Sequence, residues 1–542
     1  MATLKAGEPF GLDNDFVEEI DWDIALKRIL HDLRSDFIFA PHLAFVYEKA
    51  GQQLVELLKS ELKSGKFSPG VPLTIEVPKS FRIRVAAGQS SRLGPSYSRP
   101  GSILMPRDRL LYQALADQAA PFISKKSDLT RSFSHKLEDS KSASMFVPTR
   151  ICWNELQSAL ASHAESNGTS YILKLDIANF FGSLNQHKLI NVLSDAGYPQ
   201  SLASRLEAIL TSYTGERSSR GILQGMYPSD LLGNYYMAPI DQFFGDHEVP
   251  SARYVDDIYI FVESVDAAEK LLRELIPTLR SYDLGLNEAK SVIMPKSSLV
   301  SEEPDLEALF KNAVSEISTQ IDEADFDADY GFQSDWDDGE SGAGDDDENE
   351  LELIATTILF DSASDYPGHE ESIERFCLPL FAKANSDYAV DYVLEAFSKR
   401  PAMSQIYAAY LARFLDSNEV MSVLVKLLEK PLIADWQKVW LLAAISQAGK
   451  PNDLGVKVAL SLLKDANKHE ALRAVAATYV GLFGDHSRRM TLRLLYPSLT
   501  EYIQAAVYYS SKSWPGVEKN NAKAQWSSLG SLNKLLSAAM GN

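Results

Sequence analysis

The sequence contains 542 residues, 45% of them hydrophobic and 23% charged, which is a globular composition and too long for one ordinary hydrophobic core. It has neither a membrane-spanning apolar run nor the apolar centre of an export signal, so we expect a cytoplasmic protein without membrane contacts. The only cysteines, Cys152 and Cys377, lack metal-ligand spacing, which argues against a zinc site or a disulfide framework.

The net charge of −21 at first argues against a nucleic-acid partner, because phosphate contacts need lysine and arginine. The negative charge is concentrated in one window of the chain. Residues 301–352 contain 20 acidic residues and a single basic one, Lys311, so this window carries −19 and the remaining chain only −2. Outside the window, the charge is compatible with nucleic-acid binding.

The N-terminal region, residues 1–74, is predicted to be helical over 14–64, because apolar residues recur there near helical spacing. Tyr47 lies in the second apolar patch of this region. Proline and glycine in residues 65–72 end the helices, and residues 73–79 predict a short strand.

Basic side chains are frequent after this strand, and they either form a solvated face or contact phosphates. A helix is predicted to begin near Asp108-Arg109, and a second basic segment ends in His135-Lys136. We expect His135 to be structural. The basic residues of the first segment are Lys79, Arg82, Arg84, Arg92, Arg99, Arg107 and Arg109.

A predicted helix around Trp153 precedes an apolar strand that ends in Asp176. A lone aspartate at a strand end is unremarkable in itself. Two aromatic residues, Phe180 and Phe181, follow it, and we expect one of them in the core, since neighbouring residues of an extended chain face opposite ways.

Residues 221–234 form a glycine-rich turn, with Gln224-Gly225 at its centre, which leads into a predicted helix. Taken alone this is a weak signal, because such a turn before a helix is common. Its importance therefore depends on the segments around it.

Asp256 and Asp257 stand side by side within residues 253–261, a run of β-branched and aromatic residues that predicts a half-buried strand pair. Two adjacent carboxylates repel by about 1 kcal/mol at water-like dielectric and by more in a partly buried site. A bound divalent cation would offset this repulsion, and carboxylate oxygens are ligands that Mg²⁺ prefers. The alternative is that the pair is only the tip of a hairpin.

Residues 266–279 predict an amphipathic helix, and Lys290 lies in a polar stretch at 284–291. Strand, helix, hairpin, helix and strand in this order predict a two-layer α+β sandwich. Residues 301–352 have the composition of a disordered acidic linker, which could alternatively screen a nucleic-acid cleft or bind a basic surface of another subunit.

Residues 353–542 are predicted to be all helical, and similar helix pairs begin near 406, 439 and 472. A step of 33 residues is typical of stacked helical hairpins of the HEAT type. The alternative is an irregular bundle of Ala- and Leu-rich helices.

The segments that contain Asp176, Gln224-Gly225 and Asp256-Asp257 together resemble, in order and spacing, the palm motifs of reverse transcriptases. The resemblance covers residues 75–300. The match consists of the Tyr-Val-Asp-Asp box, the Gln-Gly-x-x-x-Ser-x-Leu-Leu-x-Asn pattern, and an aspartate followed five residues later by Phe. The resemblance implies an α+β right-hand fingers and palm domain, in which Asp176, Asp256 and Asp257 are catalytic and hold Mg²⁺ or Mn²⁺.

The same resemblance implies the residues that contact the nucleotide and the template–primer. Phe181 corresponds to the block against a ribose 2′-hydroxyl, which favours dNTPs as substrates. Lys136 stands where the family more usually has arginine, so the sequence departs from the pattern there. The nucleotide-binding set implied in this way is Phe181, Gln224, Gly225, Lys290, Lys136 and Arg109.

A complete acidic set joined to helical repeats resembles the abortive-infection (Abi) reverse transcriptases of bacterial phage defence. This resemblance implies template-independent DNA synthesis that is primed from a protein tyrosine. It also implies a single-stranded DNA product covalently attached to the protein, and a homo-oligomer formed through the repeats. Tyr47 is the priming residue that we predict.

Two other functions remain open from the sequence. The first is a templated, RNA-dependent DNA polymerase of the retron or intron kind, with RNA as a partner. The second is a binding scaffold in which the helical repeats act and the palm is vestigial. The complete set of three carboxylates argues against the scaffold, since a decayed site would be expected to lose at least one of them.

Overall fold

The computed structural model describes residues 14–87, 90–215, 219–301, 346–366 and 369–541. The prediction of helices over 14–64 is confirmed, and the Asp21 carboxylate caps the second of them by accepting from the Ile24 amide at 3.0 Å. The helices before residue 301 are Asn14–Glu19, Trp22–Asp32, Pro41–Lys63, Pro106–Lys126, Thr149–Glu165, Phe180–Ser183, Gln186–Asp195, Gln200–Tyr213, Tyr227–Tyr236, Ala238–Asp246 and Val265–Ser281.

The strands form a hairpin and a separate antiparallel sheet of order β4-β5-β3-β6, with β3 central beside β5 and β6. The hairpin is longer than the predicted strand at 73–79 and is the fingers element. The strands are β1 (Leu73–Ala87), β2 (Ser90–Ile103), β3 (Tyr171–Asp176), β4 (Ser251–Tyr254), β5 (Asp257–Val262) and β6 (Val292–Pro295).

The palm sheet β4-β5-β3-β6 is covered on both faces, which corrects the prediction of two layers. Ile260 of β5 belongs to the main core, whereas the next residue, Phe261, faces the other way. There Phe261 lies in a second core with Leu156 and Leu160 of the Thr149–Glu165 helix. Because successive side chains of a strand alternate, apolar side chains point to both faces of the sheet. Each face is therefore covered by another layer.

The C-terminal region is a succession of helices, as predicted. The first helix begins at Asp346, inside the predicted 301–352 linker, whose residues 302–345 lie outside the described ranges. The helices are Asp346–Asp361, Glu370–Lys383, Val390–Ala396, Ser404–Leu411, Asn418–Glu429, Asp435–Ile445, Asp453–Lys464, Glu470–Phe483, His486–Leu495, Glu501–Ser510, Gly516–Trp526 and Gly530–Gly541.

Hydrogen bonds between successive helix pairs follow the predicted 33-residue step. The Gln437 amide donates to Ser404 Oγ at 3.1 Å, and Trp514 Nε1 donates to the Gly481 carbonyl at 2.9 Å. The Tyr407 hydroxyl likewise donates to the carboxylate of Glu374. These bonds join residues that lie 33 positions apart, which agrees with the predicted step, and the HEAT-type stack itself stays a prediction.

The C-terminal helices pack directly on the N-terminal helices and on the fingers hairpin. Trp436 Nε1 donates to the Phe37 carbonyl at 2.7 Å, and the His469 ring lies 2.8 Å from the Thr74 carbonyl. Buried residues of all these parts belong to one continuous hydrophobic core. Within the described residues, no helix is long and apolar enough to cross a membrane.

Candidate active site

Asp176, Asp256 and Asp257 come together at one end of the palm sheet. Asp176 is the last residue of β3, and the strand register places it opposite Asp257, the first residue of β5. Asp256 lies in the tight turn between β4 and β5. The predicted strand pair with the two acids at its tip is confirmed, and it brings them to the aspartate that ends β3.

The turn that carries the acidic pair is strained, and buried polar side chains hold it in place. Val255 adopts φ = 54°, which is costly for a β-branched residue. Its amide donates to Ser134 Oγ at 2.8 Å, and its carbonyl accepts from the guanidinium of Arg253 at 3.1 Å. The turn is thus fixed by Ser134 from outside the hairpin and by Arg253 from β4.

Arg253 links this turn to the rest of the domain. Its guanidinium makes a bidentate ion pair with Asp241 at 2.7 and 2.8 Å and donates to Asn234 Oδ1 at 2.6 Å. Asn234 also donates to the Ser134 carbonyl at 2.8 Å. The sequence analysis assigned no role to these residues, although Asn234 closes the Gln-Gly pattern and Arg253 directly precedes the Tyr-Val-Asp-Asp box.

Repulsion between carboxylates contributes to the raised pKa of Asp256. The pKa of Asp256 is raised to about 6, first by burial and then by the neighbouring charges of Asp257 and Asp176, whereas Lys290 acts in the opposite direction. The site thus holds more negative charge than it neutralises with its own side chains. This is the situation in which a cation stabilises a cluster of carboxylates.

The side chain of Asp176 is held by two residues of the polar stretch before β6. Asn287 Nδ2 donates to Asp176 Oδ2 at 2.8 Å, and Lys290 Nζ lies 3.1 Å from Oδ1. The Asn287 amide also donates to the Asp176 carbonyl at 2.8 Å. Lys290, which was predicted to contact the nucleotide, therefore lies beside the acids. Asn287 is a partner of Asp176 that the sequence analysis did not identify.

Within the described ranges, no three His, Cys, Asp or Glu side chains are grouped so that they could hold a metal ion. Asp176 is engaged with Asn287 and Lys290, and the assignment of a metal ion to the three aspartates stays a prediction. The donor chemistry nevertheless fits Mg²⁺, since all three side chains are hard oxygen donors at one end of the sheet.

One cation of the fingers hairpin, Lys79, lies near these acids. Burial lowers the pKa of Lys79, the charges of Arg99 and Lys290 lower it further, and those of Asp256 and Asp176 oppose the shift. Lys79 and Lys290 therefore lie beside the acidic cluster, whereas Arg99 lies near Lys79 and Asp230. The sequence analysis placed Lys79 and Arg99 in a basic segment but did not include either in the site.

The two aromatic residues after Asp176 have different environments. Phe180 is buried in the main core, so the prediction that one of them is a core residue is confirmed. Phe181 is half-buried, and its ring lies against Gly233, where an added Cβ would come within 2.8 Å of Phe181 Cε1. Phe181 thus stays a candidate for contact with a nucleotide.

The Gln224-Gly225 turn packs against the N-terminal region. Gly225 has φ = 81°, and a Cβ at this position would lie 2.0 Å from Phe37 Cε1. Both the backbone conformation and the close approach of this ring require glycine. Gln224 is half-buried beside it, and its predicted contact with the nucleotide stays a prediction.

Comparison with known protein families identifies the domain that contains this site. Residues 92–303 match the family model described as "Reverse transcriptase (RNA-dependent DNA polymerase)". The chain carries a reverse-transcriptase domain. It is a nucleotidyltransferase domain, and Asp176, Asp256 and Asp257 all lie within the matched range.

One curated relative is the retron Ec86 reverse transcriptase of Escherichia coli, which is 26% identical over 151 residues. The aligned part covers 27% of this chain and 45% of the relative, so the chain spans less than half the length of that protein. This distant relative is a bacterial reverse transcriptase.

Solved structures of telomerase also match. The telomerase from Candida albicans, in complex with a fragment of telomeric RNA, has 12% identity and a TM-score of 0.28, with 70% of this chain and 67% of that chain covered. Apo telomerase from Candida tropicalis has 9% identity and a TM-score of 0.30, with 76% and 73% covered. At these scores the likeness carries no argument about function.

Arg109 does not lie at the nucleotide site of the reverse-transcriptase domain, contrary to the prediction. It is buried, and its guanidinium contacts the carboxylates of Asp32 and Asp36, each at 3.0 Å. Burial alone would lower the pKa of Arg109, but Asp36 and Asp32 raise it above its ordinary value. Arg109 therefore joins the Pro106–Lys126 helix to the N-terminal helices.

Lys136 is also engaged elsewhere, which corrects its assignment to the nucleotide. Its ammonium pairs with Glu155 of the Thr149–Glu165 helix and lies 4.5 Å from the centre of the Phe133 ring. That helix covers the second face of the palm sheet. His135 is half-buried and packs on Phe146 at 5.0 Å between ring centres, in agreement with a structural role.

Tyr47 is not accessible as a priming residue. Its side chain is 1% exposed in the core, and its hydroxyl has no hydrogen-bond partner within the described chain. Burial raises the pKa of Tyr47 far above its usual range, so the phenolate is disfavoured. Tyr47 is therefore a core residue, and the described tyrosines with the largest exposure are Tyr97, Tyr388 and Tyr392.

Proposed function

We propose that this protein is a DNA polymerase of the reverse-transcriptase type that acts in phage defence. It transfers a deoxynucleotide from a dNTP to a hydroxyl group. The observation that carries the proposal is the meeting of Asp176 with Asp256 and Asp257 at one end of the palm sheet. Lys79 of the fingers lies near these acids and supplies a positive charge for a triphosphate, and Arg99 lies next to Lys79.

Asp176, Asp256 and Asp257 would hold Mg²⁺ or Mn²⁺, which lowers the pKa of the attacking hydroxyl and neutralises the charge that develops on the leaving pyrophosphate. The fingers residues Lys79 and Arg99 bind the phosphates. Lys290 moves from Asp176 towards the substrate, because its long and largely exposed side chain can turn without disturbing the core. Phe181 contacts the ribose.

The finer proposal is that synthesis needs no nucleic-acid template and begins on a tyrosine of the protein. Its support is the combination of a reverse-transcriptase domain with stacked helical hairpins, which resembles the abortive-infection enzymes. We propose that these hairpins are HEAT-like, contact the single-stranded DNA product and assemble the protein into a homo-oligomer. The cytoplasmic location expected from the sequence belongs to the same proposal.

The second candidate is a templated, RNA-dependent DNA polymerase, which the distant match to a retron reverse transcriptase favours. One experiment separates the two candidates. Purified protein is incubated with Mg²⁺ and labelled dNTPs, with and without a primed RNA template. Product without template supports template-independent synthesis, and product only with template supports the second candidate. Absence of product under both conditions would contradict both and favour the scaffold.

Replacing Phe181 by alanine is expected to increase ribonucleotide use about tenfold relative to deoxynucleotide use, because removal of the ring opens space for a 2′-hydroxyl. The measurement is incorporation of rGTP against dGTP in wild type and variant. Phe180→Leu is the control, since Phe180 is a core residue and should leave the ratio unchanged. An unchanged ratio in Phe181→Ala would return Phe181 to a packing role.

Tyr47→Phe is expected to leave priming intact, because the Tyr47 hydroxyl is enclosed in the core. We propose Tyr97 instead, which is 47% exposed on β2, two residues before Arg99. Successive side chains of a strand alternate, so Tyr97 and Arg99 share a face. Tyr388 and Tyr392 are weaker candidates, because they belong to the C-terminal region and lie outside the matched reverse-transcriptase range, which includes Tyr97.

The measurement is the fraction of labelled DNA that migrates with protein under denaturing conditions and is released by protease. This fraction is expected to fall to background in Tyr97→Phe and to equal wild type in Tyr47→Phe and Tyr388→Phe. Labelled DNA that stays attached in Tyr97→Phe would exclude this tyrosine. DNA that is free in the wild type would exclude protein priming altogether.

A further inference from the structure

A cavity of about 330 Å³ lies at the seam between the N-terminal helix Pro41–Lys63 and the last helices of the chain. No palm residue lines it. Three of its lining side chains are lysines, in a chain whose net charge is −21. The lining residues of this seam pocket are Phe45, Lys49, Lys512, Lys519, Ala539 and Met540.

Lys512 is the most enclosed cation of the seam pocket. Its ammonium donates to the Tyr509 hydroxyl at 2.7 Å and lies 4.7 Å from the centre of the Phe45 ring. Burial lowers the pKa of Lys512, and the nearby Glu48 opposes that shift. In the described parts of the chain, no carboxylate lies within 4 Å of the ammonium groups of Lys512 or Lys519.

Three cations line the pocket. Lys49, Lys512 and Lys519 converge on it from two separate parts of the chain, and Glu48 is the acid that faces Lys512. A bound anion would supply acceptors for the ammonium hydrogens of these lysines.

We propose that the seam pocket binds a phosphate-bearing nucleotide, either free or as the 5′-terminal nucleotide of a nucleic acid. The phosphate lies among the three lysines. The ring of Phe45 and the side chain of Met540 supply an apolar surface for the base. This site is separate from the acidic cluster of the palm, and its occupation does not depend on polymerase activity.

A ligand in this pocket contacts both ends of the described chain at once. Phe45 and Lys49 belong to the N-terminal helix, whereas Lys512 and Lys519 lie in the C-terminal region. Phe45 already packs edge-to-face on Tyr509 at 5.4 Å between ring centres. Binding therefore stabilises the seam, and it is expected to raise the midpoint of thermal unfolding.

The test is isothermal titration of the full-length protein with dAMP in EDTA, so that no divalent metal loads the palm. Deoxyadenosine, inorganic phosphate, and oligothymidine with and without a 5′-phosphate are the comparison ligands. The variants are Lys519→Gln and the double variant Lys512→Gln/Lys519→Gln. Lys534→Gln is the matched control, because Lys534 is exposed on the last helix and does not line the pocket.

We expect a phosphate-dependent affinity that falls about tenfold or more in the double variant and stays unchanged in Lys534→Gln. Binding of dAMP identifies a free nucleotide, and binding of only the 5′-phosphorylated oligonucleotide identifies a nucleic-acid end; both support the site. Equal affinity in wild type and double variant, or equal affinity for dAMP and deoxyadenosine, would overturn it. Because no catalysis is measured, failure of the polymerase proposal would leave this result interpretable.

Discussion

Replacing Asp256 by asparagine is expected to abolish nucleotide incorporation and, at the same time, to stabilise the fold at neutral pH. Activity should fall about a thousandfold or more, because a carboxylate that holds a metal ion contributes several kcal/mol of transition-state stabilisation. The free energy of unfolding should rise by about 1 kcal/mol at pH 7, because a half-buried, repelled charge is removed.

The stabilisation depends on pH in a direction that follows from the pKa of Asp256. The pKa is raised to about 6 in the folded protein, against about 3.9 in an unfolded chain. The folded state therefore binds more protons between these values, and the wild type loses stability as the pH rises through about 6. The difference between Asp256→Asn and wild type should be absent near pH 4 and complete by pH 7.

The measurement is thermal unfolding of both proteins in EDTA across this pH range, together with an incorporation assay in Mg²⁺. Glu263→Gln is the control, since Glu263 is an exposed acid just after β5 and should alter neither property. Wild-type incorporation by Asp256→Asn would contradict the assignment of this carboxylate. A variant that is less stable than wild type at pH 7 would show that Asp256 is held by favourable contacts.

Replacing Arg109 by alanine is expected to destabilise the fold by about 3–5 kcal/mol, since it leaves the buried carboxylate of Asp32 and the half-buried carboxylate of Asp36 without their cationic partner. Burial already raises the pKa of Asp32 to about 6, even with the guanidinium present. The family resemblance predicts the opposite outcome, a loss of nucleotide affinity with the fold intact.

Denaturant unfolding and the KM for dNTP distinguish these roles. We expect a lower unfolding midpoint, and an unchanged KM for the fraction that stays folded. Lys126→Ala at the exposed end of the same helix should be neutral. A stable Arg109→Ala protein with a raised KM would restore Arg109 to the nucleotide site.

The acidic cluster could be predicted because its signals are local. Asp256 and Asp257 interrupt an apolar strand pattern, and the hairpin register then places Asp257 opposite Asp176. The contacts that hold the cluster could not be predicted in this way. Arg253 of β4 binds Asn234 and Asp241, which lie in two helices outside the hairpin. A single sequence contains no signal for which distant carboxylate a buried arginine selects.

Arg109 and Tyr47 show where local reasoning was wrong. The partners of Arg109 lie more than 70 residues earlier, so the helix pattern around it could not reveal the ion pairs. Tyr47 was placed in an apolar patch at helical spacing, and that pattern already favoured burial. The packing of the C-terminal helices on the fingers also depends on contacts between distant residues, such as Trp436 with Phe37.

The central claim is that the acidic cluster of the palm transfers nucleotides. The most direct test is incorporation of a labelled dNTP by the purified protein in Mg²⁺, compared with Asp257→Asn and with wild type in EDTA. The proposal predicts labelled product from wild type in Mg²⁺, and none from the variant or in EDTA. Equal incorporation by Asp257→Asn and wild type would contradict it.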